Sequence, residues 1–161
     1  MINECGKRTE RIREILFRGK RWNNGEWVEG FYYQAKLSRS DKELCHYITI
    51  PHPESDGQPS DHIMVYPETV GQFTGLTDKN GKKIFEGDII LFEDESPSNY
   101  EYHDSTEMRC GEIKFDDGQF YITNRIAVEM EDLIYYGTIE GEVMGNIHDN
   151  PELLEVLVYD S

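Results

Sequence analysis

Cysteine is scarce in this sequence: three occur in 161 residues, at Cys5, Cys45 and Cys110. Thiols so few and so far apart cannot build a disulfide framework, and their odd number leaves at least one free, which is the usage of a reducing cytoplasm. Long apolar runs are missing too. The longest near any candidate span is Ile89-Ile90-Leu91-Phe92, far short of the roughly 20 residues that a membrane helix needs. The first 21 residues are charged throughout rather than apolar, so neither secretion nor membrane insertion is expected. Basic side chains are also in deficit, sixteen against thirty-two acidic ones, giving a net charge of -16. A field of that sign repels phosphate and anionic lipid, which disfavours simple nucleic-acid binding. Finally, there is no Gly-x-Ser-x-Gly elbow, no His-Glu-x-x-His pair and no phosphate-binding Gly-rich loop. Catalytic residues are therefore assigned to none, and no cofactor is expected.

What is present points to a small β protein. Aromatic residues reach 12%, high for a chain with 30% charged residues, and the length suits one domain of common size with a real core. Ile15-Leu16-Phe17 and Trp22 precede Asn24-Gly25, after which Trp27-Val28 and Phe31-Tyr32-Tyr33 resume an extended pattern; Asn-Gly supplies the left-handed backbone of a tight hairpin. His46-Tyr47-Ile48-Thr49-Ile50 and Ile63-Met64-Val65-Tyr66 read as strands. Between them, residues 51 to 61 are rich in proline and acid and read as a loop. From Phe73 onward turns recur about every ten residues, as in a small antiparallel barrel or sandwich. Asp116-Asp117-Gly118 marks a second hairpin. Residues 126 to 136 fit either a strand pair or a helical turn, and Thr138 to Met144 read as one strand. Asn150-Pro151-Glu152 has the features of a helix start, with Leu153, Leu154 and Leu157 as the buried stripe.

Charge is uneven along the chain. Residues 1 to 22 carry seven basic and three acidic groups, so the remainder holds -20; docking of this basic arm on the acidic body is the expected arrangement. Cys45, His46, His52, Asp61 and His62 form a loose cluster of metal-ligand types. Their spacing matches no compact zinc pattern, and strand alternation sends Cys45 and His46 to opposite faces, so no metal site is assigned. Asp78-Lys79-Asn80-Gly81 with Glu86 lacks the spacing of a calcium loop and reads as a turn. In the pair Tyr32-Tyr33, alternation sends one ring to the core and one to the surface.

Several strings resemble the YopX family of phage and prophage proteins. They are Ile15-Leu16-Phe17-Arg18-Gly19 with Trp27-Val28-Glu29-Gly30, the long run from Val70 to Ile90, and Gly145-Asn146-Ile147-His148-Asp149-Asn150-Pro151-Glu152-Leu153-Leu154. The resemblance implies a small protein of phage or prophage origin with an SH3-like barrel in its second half and no assigned activity, which together with the cysteine usage points to the host-cell cytoplasm. The expected fold is thus mainly β and antiparallel: a hairpin region over 1–66, an SH3-like barrel region over 67–161 interrupted by an acidic insertion at 93–109, and a short C-terminal helix, the two regions forming one compact domain or two. Gly71, Gly75, Asp78, Gly81, Glu86, Gly87 and Asp88 are assigned to fold-specifying turns. Glu93, Asp94, Glu95, Tyr100, Glu101, Tyr102 and Asp104 are assigned to a surface that contacts an unidentified protein, in the sharpest form a basic host or phage protein. Exposed strand edges leave room for a homo-oligomer. A nucleic-acid-binding module and an enzyme with an unrecognised site are the alternatives.

Overall fold

The computed structural model describes residues 14–50, 61–95, 106–125, 130–135 and 137–155. Twelve strands account for its regular structure: β1 (Phe17–Lys20), β2 (Trp27–Ala35), β3 (Cys45–Ile50), β4 (Asp61–Val65), β5 (Gly71–Thr77), β6 (Lys83–Phe85), β7 (Asp88–Glu95), β8 (Thr106–Asp116), β9 (Gln119–Ile122), β10 (Ile134–Tyr135), β11 (Thr138–Ile139) and β12 (Gly141–Asn146). Single turns of 3-10 helix cover Pro67–Thr69, Met130–Leu133 and Pro151–Leu154.

Both hairpins form where the turn residues demand them. Between β1 and β2, Gly25 has φ +74°, and Asn24 Oδ1 accepts the Glu26 N–H at 3.0 Å to hold the reversal. Between β8 and β9, Asp117 and Gly118 have φ of +48° and +83°. Two left-handed residues in succession make the turn whose twist matches that of the strands it joins.

The larger sheet runs β10-β11-β5-β1-β2-β3-β4, with β6 paired to β5; the smaller runs β12-β7-β8-β9. Pairing is antiparallel apart from β11 against β5. An Arg21–Val65 bridge, with Trp22 N–H donating to Met64 O at 2.9 Å, ties β4 back to the end of β1. The sheet curls there around Val28, Ile48 and Val65, all buried. The main core lies under the smaller sheet and gathers Ile84, Ile90, Phe92, Ile113, Ile122, Met130, Leu133, Ile139 and Val143.

Three expectations are corrected. In the second half β7, β8, β9 and β12 form an open four-stranded sheet while β5, β6, β10 and β11 join the larger one, and no closed barrel is present among the described residues. Thr138 to Met144 is two strands, because Thr138–Ile139 pairs with β10 and β5 while Gly141–Asn146 pairs with β7. The C-terminal helix is a four-residue 3-10 turn in which Asn150 does not cap through its side chain. That side chain lies instead against Gly145, filling the space of the missing Cβ. Leu153 and Leu154 are half-buried, and Leu157 lies outside the described residues.

Asp78 joins the two sheets. Its Oδ1 accepts the Asn80 and Lys82 N–H groups at 2.8 and 2.9 Å, and its Oδ2 accepts the buried Val143 N–H of β12 at 3.1 Å. Lys79 N–H donates to Gly141 O at 3.0 Å, so this turn covers the edge that β12 would otherwise expose. Replacing Asp78 with Ala orphans three donors, one of them fully buried. A loss of about 2–3 kcal/mol is expected in urea unfolding, with the denaturant slope unchanged; a loss under about 0.5 kcal/mol would contradict this role for the carboxylate.

Candidate functional site

The turn residues converge on the seam between the sheets. Gly71 faces the Glu86 carbonyl so closely that a Cβ would sit 2.5 Å from that oxygen. Gly87, at φ +83°, places its N–H on Ile113 O of β8 at 2.8 Å while its carbonyl accepts the Ile147 N–H at 2.9 Å; only glycine adopts this conformation without strain. Gly75 and Gly81 also have positive φ, the first within the β5 irregularity and the second in the Asp78 turn.

Asp88, buried at the start of β7, accepts the Phe85 N–H at 2.8 Å and pairs with Arg18 Nη1 at 2.6 Å. Arg18 also donates to Glu86 O at 3.3 Å and lies over the Trp27 and Phe85 rings at 4.7 and 5.0 Å. Burial pushes the Asp88 carboxyl above its ordinary range, against the opposing pull of Arg18 and the Phe85 N–H.

On the other side of Trp27 stands the C-terminal turn. Asp149 accepts the indole N–H at 2.7 Å, the Asn146 amide at 2.9 Å and the Lys20 ammonium. The Lys20 hydrogen bond holds this carboxyl well below its ordinary range, with Asn146 and Trp27 adding to the effect and outweighing burial. His148 packs on Trp27 at 5.9 Å. Burial lowers its pKa first, and Arg18 and Lys20 lower it further. The seam is built of ion pairs and aromatic rings, an arrangement that fixes geometry.

The acidic contact surface is only partly where the sequence places it. Glu93 is exposed on β7. Asp94 is fully buried, because alternation puts it on the core face with Phe92, where Arg109 Nε comes within 3.6 Å; it is removed from the surface set. Glu95 ends β7, and Tyr100, Glu101, Tyr102 and Asp104 lie outside the described residues. The broader charge pattern is sharper than this list. Residues 67–161 hold twenty-two acidic and six basic side chains, whereas residues 1–66 hold ten of each. The entire -16 thus belongs to the second half, and Glu93, Glu107, Asp116, Asp117, Glu131 and Glu140 present it to solvent.

A second surface is not singled out by the sequence reading. Strand register sets Phe31 opposite Thr49, Tyr33 opposite Tyr47, Tyr47 opposite Met64 and Thr49 opposite His62, all on one side of β2-β3-β4. Tyr33 and Tyr47 stack at 5.2 Å and 15°. His62 meets Tyr33 edge-on at 5.7 Å and bonds its hydroxyl through Nδ1 at 2.8 Å. Tyr32 points the other way and packs on Phe17 at 5.3 Å, as alternation requires. The available signal was period-2 spacing in β2, but only pairing with strands about 15 and 30 positions away turns it into a face.

Among the described residues no group of three or more potential ligands could hold a metal ion. His46 and His62 are hydrogen-bonded to Tyr32 and Tyr33 on opposite faces. No helix among the described residues is long and apolar enough to cross a membrane.

The two depressed carboxyls fix the acid response. Asp78 is also held low, its three backbone donors outweighing burial. Their stabilisation is complete above the ordinary value of 3.8 and fades as pH falls toward their folded values, whereas Asp88, shifted upward, acts in the opposite sense. The urea midpoint is expected to drop below about pH 4, and Asp149→Asn should flatten that drop while lowering the midpoint near neutrality. Identical pH profiles for the two proteins would contradict the assignment.

No curated protein matches the chain. Among solved structures it is similar to the crystal structure of protein EF1440 from Enterococcus faecalis, with 26% identity over 88% of this chain and 98% of that one and a TM-score of 0.46. The model of the YopX protein family matches residues 16–155, a span that contains the Arg18 and Asp88 seam, the Asp78 turn and the Asp149 turn. The chain belongs to the YopX family.

Proposed function

We propose that this protein is a non-enzymatic phage or prophage accessory protein that acts in the host cytoplasm by binding another protein, and that the partner offers a basic surface to its acidic half. The observation that carries the reading is the segregation of charge. All of the net -16 lies in residues 67–161, where the exposed positions include Glu93, Met108, Phe115, Asp116 and Asp117. Exposed carboxylates with apolar side chains among them suit a partner with a cationic surface, and charge of one sign steers its approach. A nucleic-acid partner is less well supported, since strand pairing gives the aromatic face of β2-β3-β4 no Lys or Arg among Phe31, Tyr33, Tyr47, Met64 and His62.

The test is capture of partners from host lysate by the full chain and by a variant carrying Glu93→Lys, Glu131→Lys and Glu140→Lys. None of the three side chains has a hydrogen-bond or ion-pair partner among the described residues, and the change moves the net charge from -16 to -10. Capture by the unchanged protein is expected to weaken as ionic strength rises from about 0.05 to 0.5 M, and the variant should bind at least about tenfold less at low salt. No captured protein, or capture indifferent to both salt and the substitutions, overturns the proposal.

A further inference from the structure

Asparagine followed by glycine occurs twice in the chain, at Asn24-Gly25 and Asn80-Gly81, and the two turns differ in one respect that bears on their chemistry. In such a step the nitrogen of the second residue can attack the side-chain carbonyl carbon of the first, and glycine has no Cβ to obstruct the approach. Both asparagines are exposed. Both glycines have positive φ, +74° and +81°, with open space where a Cβ would stand. Their N–H groups are bonded alike, Gly25 to Arg21 O and Gly81 to Asp78 O, each at 2.9 Å. The side-chain amides are not alike. Asn24 is held at both ends by Glu26: its Oδ1 accepts the Glu26 N–H at 3.0 Å, and its Nδ2 donates to Glu26 Oε2 at 2.8 Å. The amide of Asn80 bonds no group among the described residues, and only its backbone N–H is engaged, by Asp78 Oδ1.

We propose that Asn80 is a site of spontaneous covalent modification, its side-chain amide being lost by reaction with the Gly81 nitrogen, and that Asn24 is spared. When the Gly81–Asp78 hydrogen bond opens, as bonds at exposed turn tips do most readily, the Gly81 nitrogen gives up its proton and bonds to Asn80 Cγ. The Cγ–Nδ2 bond breaks and ammonia leaves with that proton. Solvent water then opens the cyclic imide at either carbonyl, leaving aspartate or isoaspartate. Nothing is oxidised or reduced, and water is the co-reactant. Gly25 needs the same opening, so the side chain makes the difference: Asn24 must also break both bonds to Glu26 before its Cγ can turn to the nitrogen. Position gives the reaction its consequence. Isoaspartate carries the main chain through its Cβ, lengthening the loop between the Asn80 and Lys82 N–H groups that Asp78 clasps. The carboxylate that also holds Val143 of β12 therefore loses its fit as the protein ages. The inference is independent of the proposed function.

Peptide mapping of the full chain after prolonged incubation at mildly alkaline pH tests this. Position 80 is expected to carry aspartate and isoaspartate at a level at least about tenfold above position 24, a factor that two extra hydrogen bonds supply. The urea midpoint should fall in step with the modified fraction, and Asn80→Ser, which has no amide to lose, should hold it constant. Glu26→Ala, at an exposed position, should raise modification of Asn24 several-fold and leave that of Asn80 unchanged. An unmodified Asn80, equal modification of the two asparagines in the unchanged protein, a midpoint that falls equally in Asn80→Ser, or an Asn24 that stays inert in Glu26→Ala each overturns the proposal.

Discussion

The guanidinium of Arg18 is the contact on which the arrangement of the two sheets depends. It reaches from β1 of the larger sheet to the buried Asp88 at the first residue of β7 in the smaller one, and on the way it lies across Trp27 and Phe85. Taking both charges out of water costs several kcal/mol for each ion, and the pair is incompletely satisfied, since Arg18 Nε is buried without a partner. Compensation comes from geometry: two rings, the Glu86 carbonyl and the Phe85 N–H converge on the same pair. Removing one partner leaves a charge stranded in the seam, so the contact specifies how the halves meet more than it adds to stability.

From that seam follows the division of the surface. Through Asp149 and His148 the C-terminal turn packs on Trp27 of β2, while Phe31, on the same side of that strand, is exposed.

Much of the fold was legible locally. Asn24-Gly25 and Asp117-Gly118 fall at their reversals because left-handed backbone is expensive for other residues, and the run from Val70 to Ile90 carried the family resemblance. What needed long-range information was misread. Asp94 looks like one acid in a row of three, yet β7 alternation turns it inward to Arg109, fifteen residues on. Asn150 has the chemistry of a helix cap, but Gly145 offers its side chain another place. The implied barrel failed for the same reason: turn spacing sets strand lengths, while closure depends on which edges meet, and here the Asp78 turn covers the β12 edge. The Tyr33–His62 contact spans a proline-rich segment that no periodicity crosses.

The most direct measurement is a double-mutant cycle on Arg18→Met and Asp88→Asn, read by urea unfolding. Asn at 88 keeps an oxygen for the Phe85 N–H, so the cycle isolates the charge pair across the seam. A coupling above about 1.5 kcal/mol is expected for groups this close and this buried. Additivity within about 0.5 kcal/mol would mean that the halves are held by something else.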